Sequence, residues 1–226
     1  SIWHELERSD SLDLASLGTL LQKWNCHESI REAIQSRYQT VVESGLFTDA
    51  HSDATHIQDM AFKLRSGRAV VVDMKNLSSV VRRMIVEILI AKLSDLLSTW
   101  KVKALFLFAE EAHLYLRETY WDDIVTRMRH LGLFTTFITN QPDTLNEGIY
   151  RQADNIFLFN FLNDHDLDMV SKAAKIDVES VRLLVKDLPS RSCLIVGEIV
   201  RNLPIVVDIK PLDVQTMGET RFFFMN

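Results

Sequence analysis

The stretch "KALFLFAEEAHLYL", residues 103–116, ends an apolar run on two adjacent acids, Glu110 and Glu111. Apolar or small residues fill positions 104–109, and a short run of this kind predicts a buried β-strand. In an open parallel α/β sheet, ligands bind beyond the carboxyl ends of the strands, which is where both acids then fall. Buried carboxylates need cations or hydrogen bonds. A magnesium ion that carries a phosphate ligand fits this place.

The two acids can divide the work of phosphoryl transfer. Neighbouring side chains diverge at a strand end, so Glu110 can hold the shell of a metal ion while Glu111 reaches an attacking water. A helix that begins at Glu110 is the structural alternative, because acids are favoured at the positive end of a helix dipole. The acids alone leave both interpretations open.

Strands and helices alternate around this stretch. Gly67 and Lys75 bound the β-branched run "RAVVVDM", and Ser78 or Ser79 is placed to cap the helix that follows. Strands are predicted at 68–74, 103–109, 134–139 and 155–161, and helices at 78–100, 111–118, 121–130 and 144–152. The alternation predicts an α/β fold with a mainly parallel sheet flanked by helices.

The two ends of the chain differ from this pattern. Apolar residues recur at helical spacing in 11–44 and 54–65, with a polar loop at 44–56, so a helical segment is predicted at the N-terminus. Two short helices, 167–175 and 178–188, precede "SCLIVGEIV" and "PIVVDIK", which are close enough only for an antiparallel β-hairpin at a sheet edge. The chain is therefore predicted to divide into a helical segment at 1–65, the α/β core at 66–212 and a tail at 213–226.

Composition excludes several classes of protein. The net charge of −6 argues against a broad basic surface for nucleic acid and leaves room for a narrow one. The apolar runs are too short to span a membrane, and the N-terminus lacks a signal-peptide pattern, so a cytoplasmic location is predicted. Cys26 and Cys193 lie in no metal-ligand spacing and are interpreted as buried or free thiols.

A second strand also ends on polar residues. "FTTFITNQPDTL", 134–145, reaches Thr139, Asn140 and Gln141 before Pro142. Ends of parallel strands lie side by side, so these amides can sense a γ-phosphate or orient water beside the acids. A polar turn chosen for backbone reasons is the alternative.

Arginines precede this second strand. "DDIVTRMRHLGLF" carries Arg127 and Arg129, and an arginine at a subunit boundary can act on the nucleotide of a neighbouring subunit. A solvated helix arginine is the simpler interpretation of each.

In this order, the motifs resemble the C-terminal part of HerA-like ATPases, a branch of the FtsK–HerA superfamily of ring-forming P-loop ATPases. The resemblance runs from about 57 to 210. "ALFLFAEEAHLYL" looks like the Walker B strand, which the family commonly ends in Glu-Glu-Ala-His, and "LRSGRAVVVDMKNLSS" like the segment before its long helix. "TRMRHLGLFTTFITNQP" looks like the arginine, glycine and sensor stretch, and "LPSRSCLIVGEIVRNLPIVVDI" like the terminal hairpin. The resemblance implies the C-terminal part of a RecA-like core.

Carried over residue by residue, the resemblance implies four catalytic positions. Glu110 takes the magnesium-side Walker B place, and Glu111 takes the place of the catalytic glutamate. Arg129 falls on the arginine that acts in trans, and Asn140 falls on the sensor glutamine.

Three places depart from or extend the family pattern. Gln141 replaces the usual arginine, so a charge is lost beside the sensor amide. Arg151 is a second candidate for phosphate sensing. Ser190 and Arg191 stand where the family usually has a glycine nearby.

The sequence contains no Gly-x-x-x-x-Gly-Lys-Ser/Thr, the loop that cradles β- and γ-phosphates. We therefore expect the chain to be the C-terminal portion of a longer protein, and to bind ATP weakly or not at all by itself. The resemblance implies an ATP- and Mg²⁺-dependent translocase or helicase on double-stranded DNA, assembled as a hexameric ring, with a partner nuclease in archaea. A non-catalytic assembly module with a degenerate nucleotide site is one alternative, and a conjugation or secretion ATPase is another.

Overall fold

The computed structural model describes residues 4, 13–48, 56–63, 68–115, 127–160, 167–168, 171 and 177–214. The chain divides into two compact units, Ser1–Phe108 with Arg127–Thr136, and Ala109–Thr126 with Phe137–Asn226. In the part of the chain that the structure describes, no helix combines the length and the apolar character that crossing a membrane demands.

The first unit contains the helices of the N-terminal half. These are α1 (Leu14–Lys23), α2 (Glu28–Glu43), α3 (Ile57–Lys63) and α4 (Ser79–Ser98). Helices α1 and α2 pack together, and the Tyr38 hydroxyl donates to the Leu14 carbonyl at 2.9 Å. The predicted helical segment is confirmed over the described residues.

Helix α4 begins where the sequence placed a cap. Ser78 is the N-cap, and its Oγ accepts the backbone N–H of Val81 at 3.3 Å. The helix buries Val86, Ile90 and Leu96. The prediction of a helix over 78–100 is therefore confirmed, with Ser78 rather than Ser79 as the cap.

The prediction of a strand over 68–74 is wrong. No described segment pairs with these residues, and the side chain of Val71 is 88% exposed. A strand exists only through the ladder of a neighbour, so β-branched residues alone do not make one.

Strands β1 (Leu105–Ala109) and β2 (Leu133–Phe137) form a two-stranded parallel sheet. One face of β1 is covered, because Leu105 and Ala109 are buried. Phe106 and Phe108 on the other face are exposed, and the Phe106 ring stacks on Phe134 with centroids 5.2 Å apart. Residues 127–130 are helical, as predicted; 116–126 lie outside the described residues.

The second unit holds an antiparallel sheet in the order β3-β4-β5, from Asn155–Leu158, Ser192–Gly197 and Ile205–Asp208. Helix α6 (Val178–Lys186) contacts β4, whose Cys193 and Leu194 are fully buried. Burial raises the pKa of the Cys193 thiol. The predicted hairpin at a sheet edge is confirmed, and both cysteines are free thiols, as predicted.

The mainly parallel sheet needs correction, because β3 joins β4 in the antiparallel direction. Gly197, with φ of 130°, lets the chain pass close to the Asp154 carbonyl. Asn155 Oδ1 then accepts the N–H of Ile199 at 2.8 Å. These contacts accompany the antiparallel pairing, whose direction the alternation of strands and helices does not encode. Within the described residues, parallel pairing is confined to β1 and β2.

Helices between β1 and β4 are shorter than predicted where they are described. The predicted helix at 111–118 is a 3-10 turn, Ala112–Leu114. The one at 144–152 is a 3-10 turn, Pro142–Thr144, followed by α5, Glu147–Gln152. Most of the helix predicted at 167–175 lies outside the described residues, although 167, 168 and 171 are helical.

Candidate functional site

Both predicted acids lie in a β-bulge at the carboxyl end of β1. Ile138 donates its N–H to the Ala109 carbonyl and accepts the N–H of Ala112, each at 2.9 Å. In a regular parallel ladder, the two partners of one residue are separated by a single residue. Here Glu110 and Glu111 both intervene, so the chain carries one extra residue between the two hydrogen bonds of Ile138. Bulges of this kind re-aim side chains and are frequent beside active sites.

Glu111 accommodates the bulge by a left-handed backbone. Its φ is 52° and its ψ is 44°, a conformation that costs a residue with a β-carbon about 1–2 kcal/mol. Ala109 and Ala112 on either side are buried, whereas both glutamates are exposed. A regular strand would send one of the two towards the buried side. The bulge therefore presents both carboxylates to solvent.

A buried histidine links Glu111 to the end of β2. Nδ1 of His113 forms a hydrogen bond with Thr139 Oγ1 at 3.2 Å and lies 3.4 Å from Glu111 Oε2. The His113 side chain is 8% exposed, against 52% for Glu111. Thr139 Oγ1 also accepts the backbone N–H of Gln141 at 3.0 Å. A continuous set of contacts thus runs from the acid to the predicted sensor turn.

Glu110 is held through its backbone. The hydroxyl of Tyr115, a buried side chain, donates to the Glu110 carbonyl at 2.5 Å. The 3-10 turn Ala112–Leu114 brings Tyr115 back under the bulge. The carboxylate of Glu110 remains exposed, so its oxygens can take a cation.

The sensor turn is fixed from behind. Thr144 donates its hydroxyl to the Gln141 carbonyl at 2.8 Å, and the Tyr150 hydroxyl donates to the Pro142 carbonyl at 2.6 Å. Asn140 and Gln141 are exposed. The turn therefore offers both amides to solvent at the strand end that His113 joins to Glu111.

Neither predicted arginine is among the residues that form this cluster of contacts. Arg151 pairs with Glu147 on α5 at 2.8 Å, and both side chains are exposed. Among the contacts of the described residues, none joins Arg151 to the acids. Arg129 belongs to the first unit, where it is exposed and its carbonyl accepts the N–H of Gly132 at 3.1 Å.

The described residues contain no group of three or more His, Cys, Asp or Glu that could enclose a metal ion. Magnesium in phosphoryl-transfer sites usually keeps several waters and takes one or two carboxylates together with phosphate oxygens. The exposed carboxylate of Glu110 suits that mode and not a closed protein cage.

Solved structures resemble this chain. With 22% identity and a TM-score of 0.54, it matches the genome-packaging NTPase B204 of Sulfolobus turreted icosahedral virus 2 in complex with AMPPCP, over 71% of this chain and 73% of that one. The chain shares the fold of this NTPase. The complex with ATP-γS matches at 23% identity and a TM-score of 0.53, covering 70% and 72%. No protein-family model and no curated protein matches the sequence.

The likeness confirms an NTPase-type α/β fold, and it is a likeness of fold alone. The roles assigned to Glu110, Glu111, Arg129, Asn140 and the other sites stay predictions. His113, the last residue of the Glu-Glu-Ala-His motif, had no role predicted from the sequence. The available signal was a polar residue placed two positions after the acids in an otherwise apolar stretch.

Proposed function

We propose that this chain is the C-terminal part of an ATP-driven motor that moves double-stranded DNA, of the HerA type and assembled as a hexameric ring. The observation that carries the proposal is Glu111, which is held in a left-handed conformation at a strand end and contacted by buried His113. Residues with a strained backbone of this kind cluster at active sites and ligand-binding sites. The fold shared with a genome-packaging NTPase supports the same class of protein.

Each residue of the cluster has a distinct role in this proposal. Glu111 would orient the attacking water and take its proton, and Glu110 would hold magnesium through the water shell of the ion. Asn140 and Gln141 report the γ-phosphate from the end of β2. Arg129 acts on the nucleotide of the neighbouring subunit, where charge develops in the transition state.

The residues present fit part of an ATP and magnesium site. The exposed acids after β1 and the exposed amides after β2 supply oxygen ligands and hydrogen-bond donors. Bound magnesium would neutralise the charge that develops on the transferred phosphoryl group. The cradle for the β- and γ-phosphates is absent from this sequence, so we propose that a phosphate-binding loop outside these residues completes the site.

The proposal that the protein binds DNA rests on the proposed motor function and not on the net charge of the chain. A ring needs basic groups only along its pore, so a chain with a net charge of −6 can still track duplex DNA. The HerA resemblance adds a nuclease as a partner. It also adds Arg151 as a further phosphate sensor, once the Arg151 side chain no longer pairs with Glu147.

A non-catalytic assembly module is the second candidate. The exposed faces of Phe106 and Phe108, and the missing phosphate loop, favour it. The strained glutamate favours the motor, because a surface used only for assembly has no need of a left-handed acid at a strand end.

The test is the DNA dependence of ATP hydrolysis by the complete protein, phosphate-binding loop included. We expect linear duplex DNA to raise the rate several-fold over protein alone, and ATP to drive displacement of a third strand from a DNA triplex. Single-stranded DNA of the same length and charge is the matched control. An absence of hydrolysis under all conditions would leave the assembly module in its place.

A further inference from the structure

The imidazole of His113 is buried, yet its Nδ1 faces two groups that belong to different strand ends. Thr139 Oγ1 lies at 3.2 Å and Glu111 Oε2 at 3.4 Å from this one atom. A polar side chain in a buried position is costly unless its contacts are satisfied. Both contacts are made by the same nitrogen, so whether Nδ1 carries a hydrogen decides whether each contact is attractive.

Only one arrangement of that hydrogen makes both contacts attractive. With Nδ1 unprotonated, its lone pair can accept the Thr139 hydroxyl, but it then opposes the lone pairs of Glu111. With Nδ1 protonated, the N–H points at two acceptors, and the Thr139 oxygen still accepts the N–H of Gln141. The Glu111 contact therefore selects the Nδ1–H form.

We propose that His113 is a positioning residue, which uses Nδ1–H to set the Glu111 carboxylate relative to Thr139 at the end of β2. The inference deepens the proposed function and rests on it. A shift of Thr139 or Gln141, for example when Asn140 meets a phosphate, changes the share of the Nδ1 hydrogen that Glu111 receives. The position of the water-activating acid thereby follows the state of the sensor turn.

The position of the nitrogen supplies a matched pair of variants. In His113→Asn, the amide nitrogen overlays Nδ1; in His113→Gln, it overlays Nε2, which makes neither contact. Thr139→Ser and Thr139→Val form a second pair, in which only serine keeps the hydroxyl. The second pair stays informative if a His113 variant fails to fold, and thermal unfolding of every variant identifies that case.

The first readout needs no nucleotide. In the 226-residue chain with isotope-labelled histidine, we expect nitrogen NMR to show a protonated His113 Nδ1, and we expect Thr139→Val and Glu111→Gln each to shift that signal. An unprotonated Nδ1, or a signal that neither substitution moves, would overturn the inference.

The second readout is steady-state hydrolysis by the complete protein. We expect kcat of His113→Asn to exceed that of His113→Gln by about 10- to 100-fold, with KM for ATP equal in both, because a misplaced catalytic group costs rate and not substrate binding. Thr139→Ser should exceed Thr139→Val in the same way. If the wild type is active and kcat is equal within each pair of variants, this inference alone is contradicted. If the wild type is inactive, the proposed function is contradicted, and this inference with it.

Discussion

Nδ1 of His113 lies 3.4 Å from Oε2 of Glu111, two positions back along a chain that passes through a left-handed residue. The contact exists because the bulge at Glu110 and Glu111 tightens the turn after β1 and returns the histidine beneath it. Buried Ala112 lies between the two, fully enclosed. An exposed acid is thereby tied to a rigid interior, which is the arrangement that a precisely placed base requires.

The left-handed Glu111 should cost stability. We expect Glu111→Gly to be about 1 kcal/mol more stable than Glu111→Gln, because glycine adopts a φ of 52° without a penalty from a β-carbon. The measurement is the free energy of unfolding in urea, with Glu198→Gly at an exposed position as the control for loss of a side chain. Equal stability of the two Glu111 variants would show that the backbone there is unstrained.

Replacing Gly132 by alanine should cost more stability than replacing Gly45 by alanine. Both have positive φ, 96° and 66°, but a β-carbon at Gly132 would lie 2.6 Å from the Lys103 carbonyl oxygen, whereas nothing lies within 4 Å at Gly45. We expect Gly45→Ala to cost about 1 kcal/mol and Gly132→Ala at least twice that. Thermal unfolding of the two variants checks the order, and the reverse order would contradict the packing of β1 against the turn before β2.

The cap of α6 should weaken in acid. Asp177 accepts the N–H of Ser180 at 2.9 Å, and this bond chiefly lowers the pKa of the Asp177 carboxyl below its ordinary 3.8. Because the folded value is the lower one, the stabilisation is present above pH 3.8 and is lost as the pH falls through the folded value. Asp177→Asn keeps a capping side chain that does not titrate.

We therefore expect the melting temperature of the wild type to fall relative to that of Asp177→Asn as the pH drops below 3.8. Thermal scans of both proteins between pH 7 and pH 3 give the difference. A difference that stays constant over this range would rule out a perturbed Asp177.

The parts of the fold that local signals encode were predictable. Ser78 before a helical run, the end of β1 before Glu110, and the short spacing within the terminal hairpin all appear in the structure. Each depends on a few neighbouring residues, such as a capping hydroxyl or a change from apolar to charged side chains.

The parts that depend on distant partners were not predictable. Residues 68–74 have the composition of a strand and pair with nothing in the described chain. The antiparallel direction of β3 comes with contacts between Asn155 and the chain around Gly197, which are far apart in sequence. The bulge needs a left-handed backbone at Glu111, which glutamate rarely adopts, so the position of the bulge could not be predicted from residue type.

The most direct test of the account is the effect of Glu111→Gln on ATP binding and on single-turnover hydrolysis by the complete protein. Glu198→Gln, an exposed glutamate in the same unit, is the matched control. We expect Glu111→Gln to bind ATP as tightly as the wild type and to hydrolyse it about 100- to 10,000-fold more slowly, while Glu198→Gln hydrolyses at the wild-type rate. Hydrolysis by Glu111→Gln at the rate of Glu198→Gln would contradict the account, because Glu111 would then not be the residue that activates water.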